Sequence, residues 1–164
     1  MAEIYQERMT AEIEGEVVVF LIGMRINKLW KIHKWLPVAM AMRKMLKELD
    51  ENPDLGCLGY ESLWFGNPTI MVQYWRSFDA LDSYARNKSA KHLPAWANFN
   101  RHVSSSGDVG IWHETYCISQ GSYECIYTNM PQFGLGKVGK HIPATGKKES
   151  ATGRMGLSTG DAHP

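Results

Sequence analysis

A histidine, a tryptophan and a phenylalanine share one predicted helical face in the middle of the chain. His92, Trp96 and Phe99 are spaced by four and three residues, so a helix places all three side chains on one stripe. Pro94 favours a helix that begins close to His92, where the positive end of the helix dipole keeps an imidazole neutral. A neutral imidazole serves as a base or as a metal ligand. The alternative is a structural histidine that caps the helix or is half-buried.

A second candidate histidine lies in a strand predicted over 109–119. Alternation along a strand places His113 on one face of the sheet and Glu114 and Tyr116 on the other. Buried polar side chains need hydrogen-bond partners or a substrate. His113 and Glu114 are therefore catalytic candidates, and Tyr116 is a candidate for binding substrate. The alternative is a hydrogen-bonding role across a dimer interface.

Four further residues are candidates for binding a substrate. Trp75 and Arg76 end one strand of a predicted hairpin, where a guanidinium can stack on aromatic rings or hold a carboxylate or enolate. Simple packing is the alternative for this pair. Tyr123 and Asn129 share one face of a later predicted strand, and they offer a hydroxyl and an amide to a cavity or to a partner subunit.

The composition limits the classes of function. A chain of 164 residues with 44% hydrophobic and 21% charged residues is typical of one globular domain. Its 18 Lys and Arg against 17 Asp and Glu leave no overall field to hold nucleic acid or an anionic membrane. The three cysteines have no Cys-x-x-Cys spacing and the first residues are too polar for a signal peptide, which predicts a cytoplasmic protein. The sequence contains no glycine-rich phosphate loop and no zinc-site spacing.

The elements that must position these residues alternate between strands and helices. We predict strands over 16–26, 55–64, 69–76, 109–119 and 123–129. We predict helices over 28–49 (capped by Asn27 and containing Pro37), 78–87 (capped by Ser77) and 94–103. This order is the split β-α-β arrangement of an α+β, ferredoxin-like fold, with an antiparallel sheet and helices on one face.

The first predicted strand is apolar on both faces, so each face needs a cover. The sheet of a second subunit is the simplest cover, which predicts a two-fold homodimer. The alternative is that the last strand and the tail fold back on the same subunit. We expect one domain over 1–133 and a glycine-rich, basic C-terminal arm over 134–164, which is solvated or wraps around a partner.

Two sets of motifs resemble known families. The run VQYWRSFDAL at 72–81, followed by His92-x-x-x-Trp96, resembles the dimeric α/β-barrel superfamily, which includes antibiotic-biosynthesis monooxygenases, haem-degrading monooxygenases and aldoxime dehydratases. The later run VGIWHETY at 109–116, with YE-x-IY-x-NMP at 123–131 and FGLG at 133–136, is more narrowly similar to the family named after the fumagillin-pathway monooxygenase. The likeness covers about residues 15–157.

The resemblance implies a dimeric α/β barrel in which each subunit holds a pocket between helices and sheet. Cofactor-free members of the superfamily oxidise substrates that give electrons to O2 once they are deprotonated. Such chemistry needs a base, donors for the resulting oxyanion and a dry cavity. The base would be His92 or, failing it, His113, and the donors would come from Tyr116, Asn129 and Trp75.

We therefore expect a monooxygenase-type oxidoreductase that uses no cofactor and acts on a small apolar or aromatic metabolite. Haem is the alternative cofactor, in an enzyme of the aldoxime dehydratase or haem-degrading type with His92 as the iron ligand. His92 lies nearer to Trp75 than the proximal histidine of haem-binding relatives does, and this departure weighs against haem. A non-catalytic ligand-binding dimer is the third possibility. Neither nucleic acid nor a membrane is an expected partner.

Overall fold

The computed structural model describes residues 2–63, 66–87, 97, 101 and 106–157. The chain forms two compact units, which we call the sheet unit (19–116) and the terminal unit (1–18 with 117–164). Among the described residues, no helix combines the length and the apolar character needed to cross a membrane.

The helices and strands of the described residues are, in chain order, β1 (Met9–Glu12), β2 (Val17–Ile26), α1 (Ile32–Glu51), β3 (Cys57–Leu63), β4 (Ile70–Trp75), α2 (Phe78–Arg86), β5 (Val109–Ile118), α3 (Leu135–Val138), β6 (Lys140–Pro143) and α4 (Ala151–Arg154). Short 3₁₀ turns lie at Pro53–Leu55 and Gly146–Glu149.

One sheet organises the sheet unit. Its strand order is β3-β4-β2-β5, so β2 is a central strand, as its apolar sequence predicts. β3 and β4 form the predicted hairpin, and they pair antiparallel with Tyr60 opposite Gln73. Because β3 is separated from β2 by β4, the chain makes a split β-α-β connection. The ferredoxin-like α+β fold is confirmed.

Both described long helices lie on one face of this sheet. Ala39 of α1 is buried against Met24 of β2 and Val109 of β5. Tyr84 of α2 packs its ring 5.6 Å from that of Trp75 in β4, and its hydroxyl donates to Glu48 of α1 at 2.9 Å. Alternation along the strands therefore separates a helix-covered face from an opposite face, and the prediction of helices on one face is confirmed.

The first helix begins later than predicted. Asn27 does not cap it, because its side-chain oxygen accepts from Arg25 Nε at 3.1 Å. Its side-chain NH2 donates to the carbonyl of Gly107 at 3.0 Å and its backbone N–H donates to the carbonyl of Asp108 at 3.0 Å. Residues 27–31 instead form a turn, and α1 starts at Ile32 with Pro37 inside it. The second helix follows its prediction, since the Ser77 hydroxyl accepts from the N–H of Ala80 at 3.1 Å.

A buried carboxylate holds the turn before α1. Asp108 is only 1% exposed, and its two oxygens lie 2.7 Å from Lys28 Nζ and 2.8 Å from Lys31 Nζ. Hydrogen bonds from Lys28, which has the largest effect, and from Lys31 keep the pKa of the Asp108 carboxyl well below its usual range. The start of α1 is thereby tied to the start of β5.

The terminal unit contains two strands that the sequence did not predict. β1 pairs antiparallel with β6, with Thr10 opposite Ile142. The strand predicted over 123–129 is wrong, because residues 123–126 have no regular structure and Tyr127 makes only an isolated bridge to Met9. Asn129 adopts a φ of 55°, which is incompatible with an extended strand.

The described part of the C-terminal arm, 134–157, is folded. β6 lies in it, and the Arg154 side chain donates to Glu124 at 2.7 Å and to the carbonyl of Lys148 at 3.0 Å. These contacts hold the described part of the arm against other residues of the terminal unit. The domain boundary predicted after residue 133 falls inside the terminal unit and stays a prediction.

Candidate functional site

β5 carries three of the predicted site residues and distributes them over two faces. Tyr116 donates its hydroxyl hydrogen to Glu114 Oε2 at 2.5 Å, so these two side chains share a face, as alternation predicts. The hydrogen bond to Glu114 raises the pKa of the Tyr116 phenol. Both residues are exposed. The pair offers a carboxylate and a protonated phenol in direct contact.

His113 lies on the helix-covered face of β5, away from Glu114 and Tyr116. Its ring centroid is 5.6 Å from that of Phe20 in β2, with the two planes inclined by 40°. The imidazole is exposed to solvent. Because the sheet separates His113 from Glu114, these two candidates cannot act as a hydrogen-bonded acid–base pair. His113 remains placed to act on a molecule that enters between helices and sheet.

Trp75 and Arg76 occupy very different environments although they are adjacent. Trp75 is fully buried at 0% exposure, and its indole N–H donates to Gln73 Oε1 at 3.0 Å. That N–H already has its hydrogen-bond acceptor, so it is not available to a substrate. The ring packs against Tyr84 rather than lining an open cavity. The Arg76 side chain is exposed just beyond β4. This arrangement matches the packing alternative for Trp75.

Tyr123 and Asn129 belong to the terminal unit. The Tyr123 hydroxyl accepts the backbone N–H of Ile13 at 2.6 Å, which ties residue 123 to the segment after β1. Burial, above all, raises the pKa of this phenol. Asn129 is exposed and lies in the left-handed region of backbone conformation. Both were predicted to bind substrate, and both stay candidates.

His92, Trp96 and Phe99 lie outside the described residues. The helical stripe that the sequence predicts for them therefore stays a prediction, as does the role of His92 as base or iron ligand.

Sequence reasoning missed a cluster of thiol and phenol groups at the junction of β3 with the helices. The Tyr60 hydroxyl donates to Asp50 at 2.8 Å, and Cys57 Sγ donates to the carbonyl of Gly59 at 3.7 Å. Burial is the largest cause that raises the pKa of Cys57 to about 11 and that of Tyr60 to about 12. At these values the thiol is not a nucleophile at neutral pH. The alternation of β3, which faces Tyr60 towards α1, is the signal that would have found the cluster.

A second feature that the sequence did not reveal surrounds Gly23 in the central strand. A Cβ at position 23 would lie 2.0 Å from the carbonyl oxygen of Thr69 and 2.7 Å from the indole nitrogen of Trp112. The Trp112 nitrogen is enclosed and has no hydrogen-bond partner among the described residues. Glycine at this position therefore lets two neighbouring segments close over β2.

The described residues contain no group of three or more His, Cys, Asp or Glu side chains that could hold a metal ion. A haem needs an axial ligand inside an enclosed apolar pocket. His113 does not fit that requirement, since it is exposed on a strand.

A curated relative, monooxygenase af470 from Aspergillus fumigatus, is 27% identical over 163 residues, which cover 84% of this chain and 56% of the relative. The chain thus spans little more than half the length of that relative. Among solved structures, the cofactor-independent oxygenase SnoaB from Streptomyces nogalater is 12% identical with a TM-score of 0.44, over 62% of this chain and 91% of that one. A dimeric ferredoxin-like protein from Jannaschia sp. CCS1 is 16% identical with a TM-score of 0.42, over 60% and 97% of the two chains.

At TM-scores below 0.5 these structural likenesses assign no function, and the fold stands on the strand order itself. The sequence match is more decisive. A family model described as monooxygenase af470-like matches residues 17–135, which is well over half of the chain. The chain belongs to the monooxygenase af470-like family.

Proposed function

We propose that the protein is a monooxygenase-type oxidoreductase that acts without a cofactor on a small apolar or aromatic metabolite, in a pocket between the helices and the sheet. Membership of the monooxygenase af470-like family supports the reaction type. SnoaB is a cofactor-independent oxygenase, and the chemistry that we propose is of the same type. We infer an apolar or aromatic substrate because the sequence predicts aromatic side chains in the pocket.

The structural observation that carries the proposal is the position of His113. Its imidazole is accessible, stands on the face that the helices cover, and lies beside the apolar ring of Phe20. A base in such a place can reach an acidic C–H or O–H of an apolar substrate. The sequence predicts a second imidazole, that of His92, for the same pocket.

The reaction that we propose begins with proton transfer from the substrate to a histidine nitrogen. The substrate anion then gives electrons to O2, and a carbon–oxygen bond forms. One oxygen atom ends in the product and the other leaves as water, so the substrate itself supplies all the electrons. The resulting oxyanion needs an N–H or O–H donor on the same side of the sheet. Tyr116 cannot supply it to a substrate beside His113, because the two side chains lie on opposite faces of β5.

Spectroscopy combined with oxygen uptake tests the proposal. We expect the purified protein to lack a Soret band and to consume O2 with phenols or enolisable aromatic ketones, equally well with and without a metal chelator. A Soret band that scales with activity would instead support the haem enzyme. Ligand binding without oxygen uptake across such substrates would support a non-catalytic binding protein.

We also propose a homodimer in which the sheet face opposite the helices meets the same face of a second subunit. This face carries apolar side chains on all four strands, among them Leu63, which is 44% exposed, and Tyr116, which is 49% exposed. An apolar sheet face is unstable in water unless it is covered.

Light scattering over a dilution series checks the dimer. We expect a mass of two chains to persist to micromolar concentration, because sheet-on-sheet packing buries a large apolar area. A mass of one chain at that concentration would contradict the proposal.

A further inference from the structure

The turn before α1 and the outer side of its first half expose large apolar side chains. They are Leu29 at 65% exposure, Trp30 at 75%, Ile32 at 53%, Leu36 at 41% and Met40 at 52%. Ile32, Leu36 and Met40 are spaced by four residues and form one line along the helix. We call these five residues the α1 apolar patch. The opposite side of α1 is equally apolar, since Trp35, Val38 and Ala39 pack on the sheet.

The patch is held outward by charges on the inner side of the turn. Lys28 and Lys31 both bind the buried Asp108, so the two residues between them, Leu29 and Trp30, stand on the solvent side. The carbonyl of Leu29 also accepts the indole N–H of Trp35 at 3.0 Å. Leu29 and Trp30 are therefore presented by a braced turn.

The charged residues between the turn and the middle of α1 are basic. Residues 28–47 contain six Lys and Arg and no Asp or Glu. Lys28 and Lys31 bind Asp108, and Lys47 pairs with Glu51 at 3.6 Å. Arg43 continues the line of the patch along the helix and Lys44 borders it; both are exposed. The whole-chain charge of +1 hides this concentration. For this reason the expectation of no membrane partner, which rested on the whole-chain charge, does not apply to this surface.

We propose that the α1 apolar patch docks the protein onto an anionic lipid surface. A helix that lies in the interface needs an apolar side, basic residues beside it and an aromatic side chain at headgroup depth. The patch, the exposed cations Arg43 and Lys44, and Trp30 supply these three elements. α1 would lie along the surface, because its inner side packs on the sheet. A convex helix face with a protruding turn suits a lipid surface better than a peptide, which binds in a groove.

Vesicle sedimentation tests the docking with the full chain. We expect the protein to sediment with phosphatidylcholine vesicles that contain about 30 mol% phosphatidylglycerol, and to stay in the supernatant with phosphatidylcholine alone. Tryptophan emission should shift to the blue on binding, because Trp30 leaves water. High salt should release the protein.

Two variants with a matched control assign the binding to the patch. The double variant Trp30→Ser, Leu36→Ser should lower the bound fraction by about tenfold or more, because it removes apolar area from the interface. Arg43→Glu with Lys44→Glu should abolish the preference for anionic vesicles; both positions are exposed, so folding is preserved. Leu157→Ser, at another apolar residue of 44% exposure, should bind as the wild type does.

Four results would overturn the proposal. Two concern the wild type: no sedimentation with either kind of vesicle, or equal sedimentation with both. Two concern the variants: Leu157→Ser lowers the bound fraction as much as Trp30→Ser, Leu36→Ser does, or Arg43→Glu, Lys44→Glu keeps its preference for anionic vesicles. A fall in mass by light scattering in Trp30→Ser, Leu36→Ser would show that the patch joins two copies of the chain. Capture of a peptide or protein without vesicle binding would likewise replace the lipid surface as the partner.

Discussion

Replacing His92 by alanine is expected to lower turnover by about 10²- to 10⁴-fold, the range that a general base contributes. Without the imidazole, the substrate stays protonated and cannot pass electrons to O2. The dimer and substrate binding should largely persist, so the loss should fall on kcat rather than on KM. The measurement is steady-state oxygen uptake on the substrate that gives the fastest turnover.

Two other histidine variants make this result specific. His33→Ala removes an exposed imidazole at the start of α1 and should leave turnover unchanged. His113→Ala should cost less than tenfold if His92 is the base. If instead His92→Ala is silent and His113→Ala is inactive, the base is the accessible imidazole beside Phe20. Full activity in both variants would refute histidine base catalysis, and loss of a Soret band in His92→Ala would mark an iron ligand.

The parts of the fold that follow from local periodicity could be predicted from the sequence. β2 is indicated by a continuous apolar run, the hairpin by turn residues between two strands, and α2 by its cap Ser77; all three are present. The same alternation correctly placed His113 on one face of β5 and Glu114 and Tyr116 on the other. The resemblance to the monooxygenase family is also confirmed.

Features that depend on distant residues could not be predicted. Asn27 has the chemistry of a helix cap, but its side-chain oxygen accepts from Arg25. Its side-chain NH2 is held by the carbonyl of Gly107, 80 residues away along the chain. Strands β1 and β6 have four residues each, too few to show a period, and they are strands only because they pair with one another. Between 123 and 129 the alternation is present, but residues 123–126 have no regular structure and Tyr127 forms an isolated bridge to Met9. Asn129 has a left-handed backbone.

The same limit applies to the candidate site. The sequence predicts Trp75 as a donor because it shows the residue type but not the hydrogen-bond partner. In the structure the Trp75 indole N–H already donates to Gln73. Cys57 and Tyr60 gave no motif, although burial raises the pKa of both. A side chain's partners decide whether it can do chemistry, and those partners come from other elements of the chain.

Gly23→Ala is expected to destabilise the fold by about 3 kcal/mol, at the upper end of what overpacking a core costs. The added methyl group would lie 2.0 Å from the Thr69 carbonyl oxygen, so the backbone before β4 must move. That movement would strain the 2.8 Å hydrogen bond from the Thr69 N–H to the Met24 carbonyl. It would also push on the Trp112 indole. Thermal unfolding should show a midpoint roughly 10 °C lower.

Gly110→Ala is the matched control, because it adds the same methyl group to the neighbouring strand β5. There the nearest atom, the Cβ of Arg25, lies at 3.8 Å, an ordinary van der Waals distance. We expect a change within about 0.5 kcal/mol, since alanine fits and also restricts the unfolded chain. The difference between the two variants therefore isolates the close approach of Thr69 and Trp112 to β2. Equal midpoints for Gly23→Ala and Gly110→Ala would show that these segments do not close over the central strand in solution.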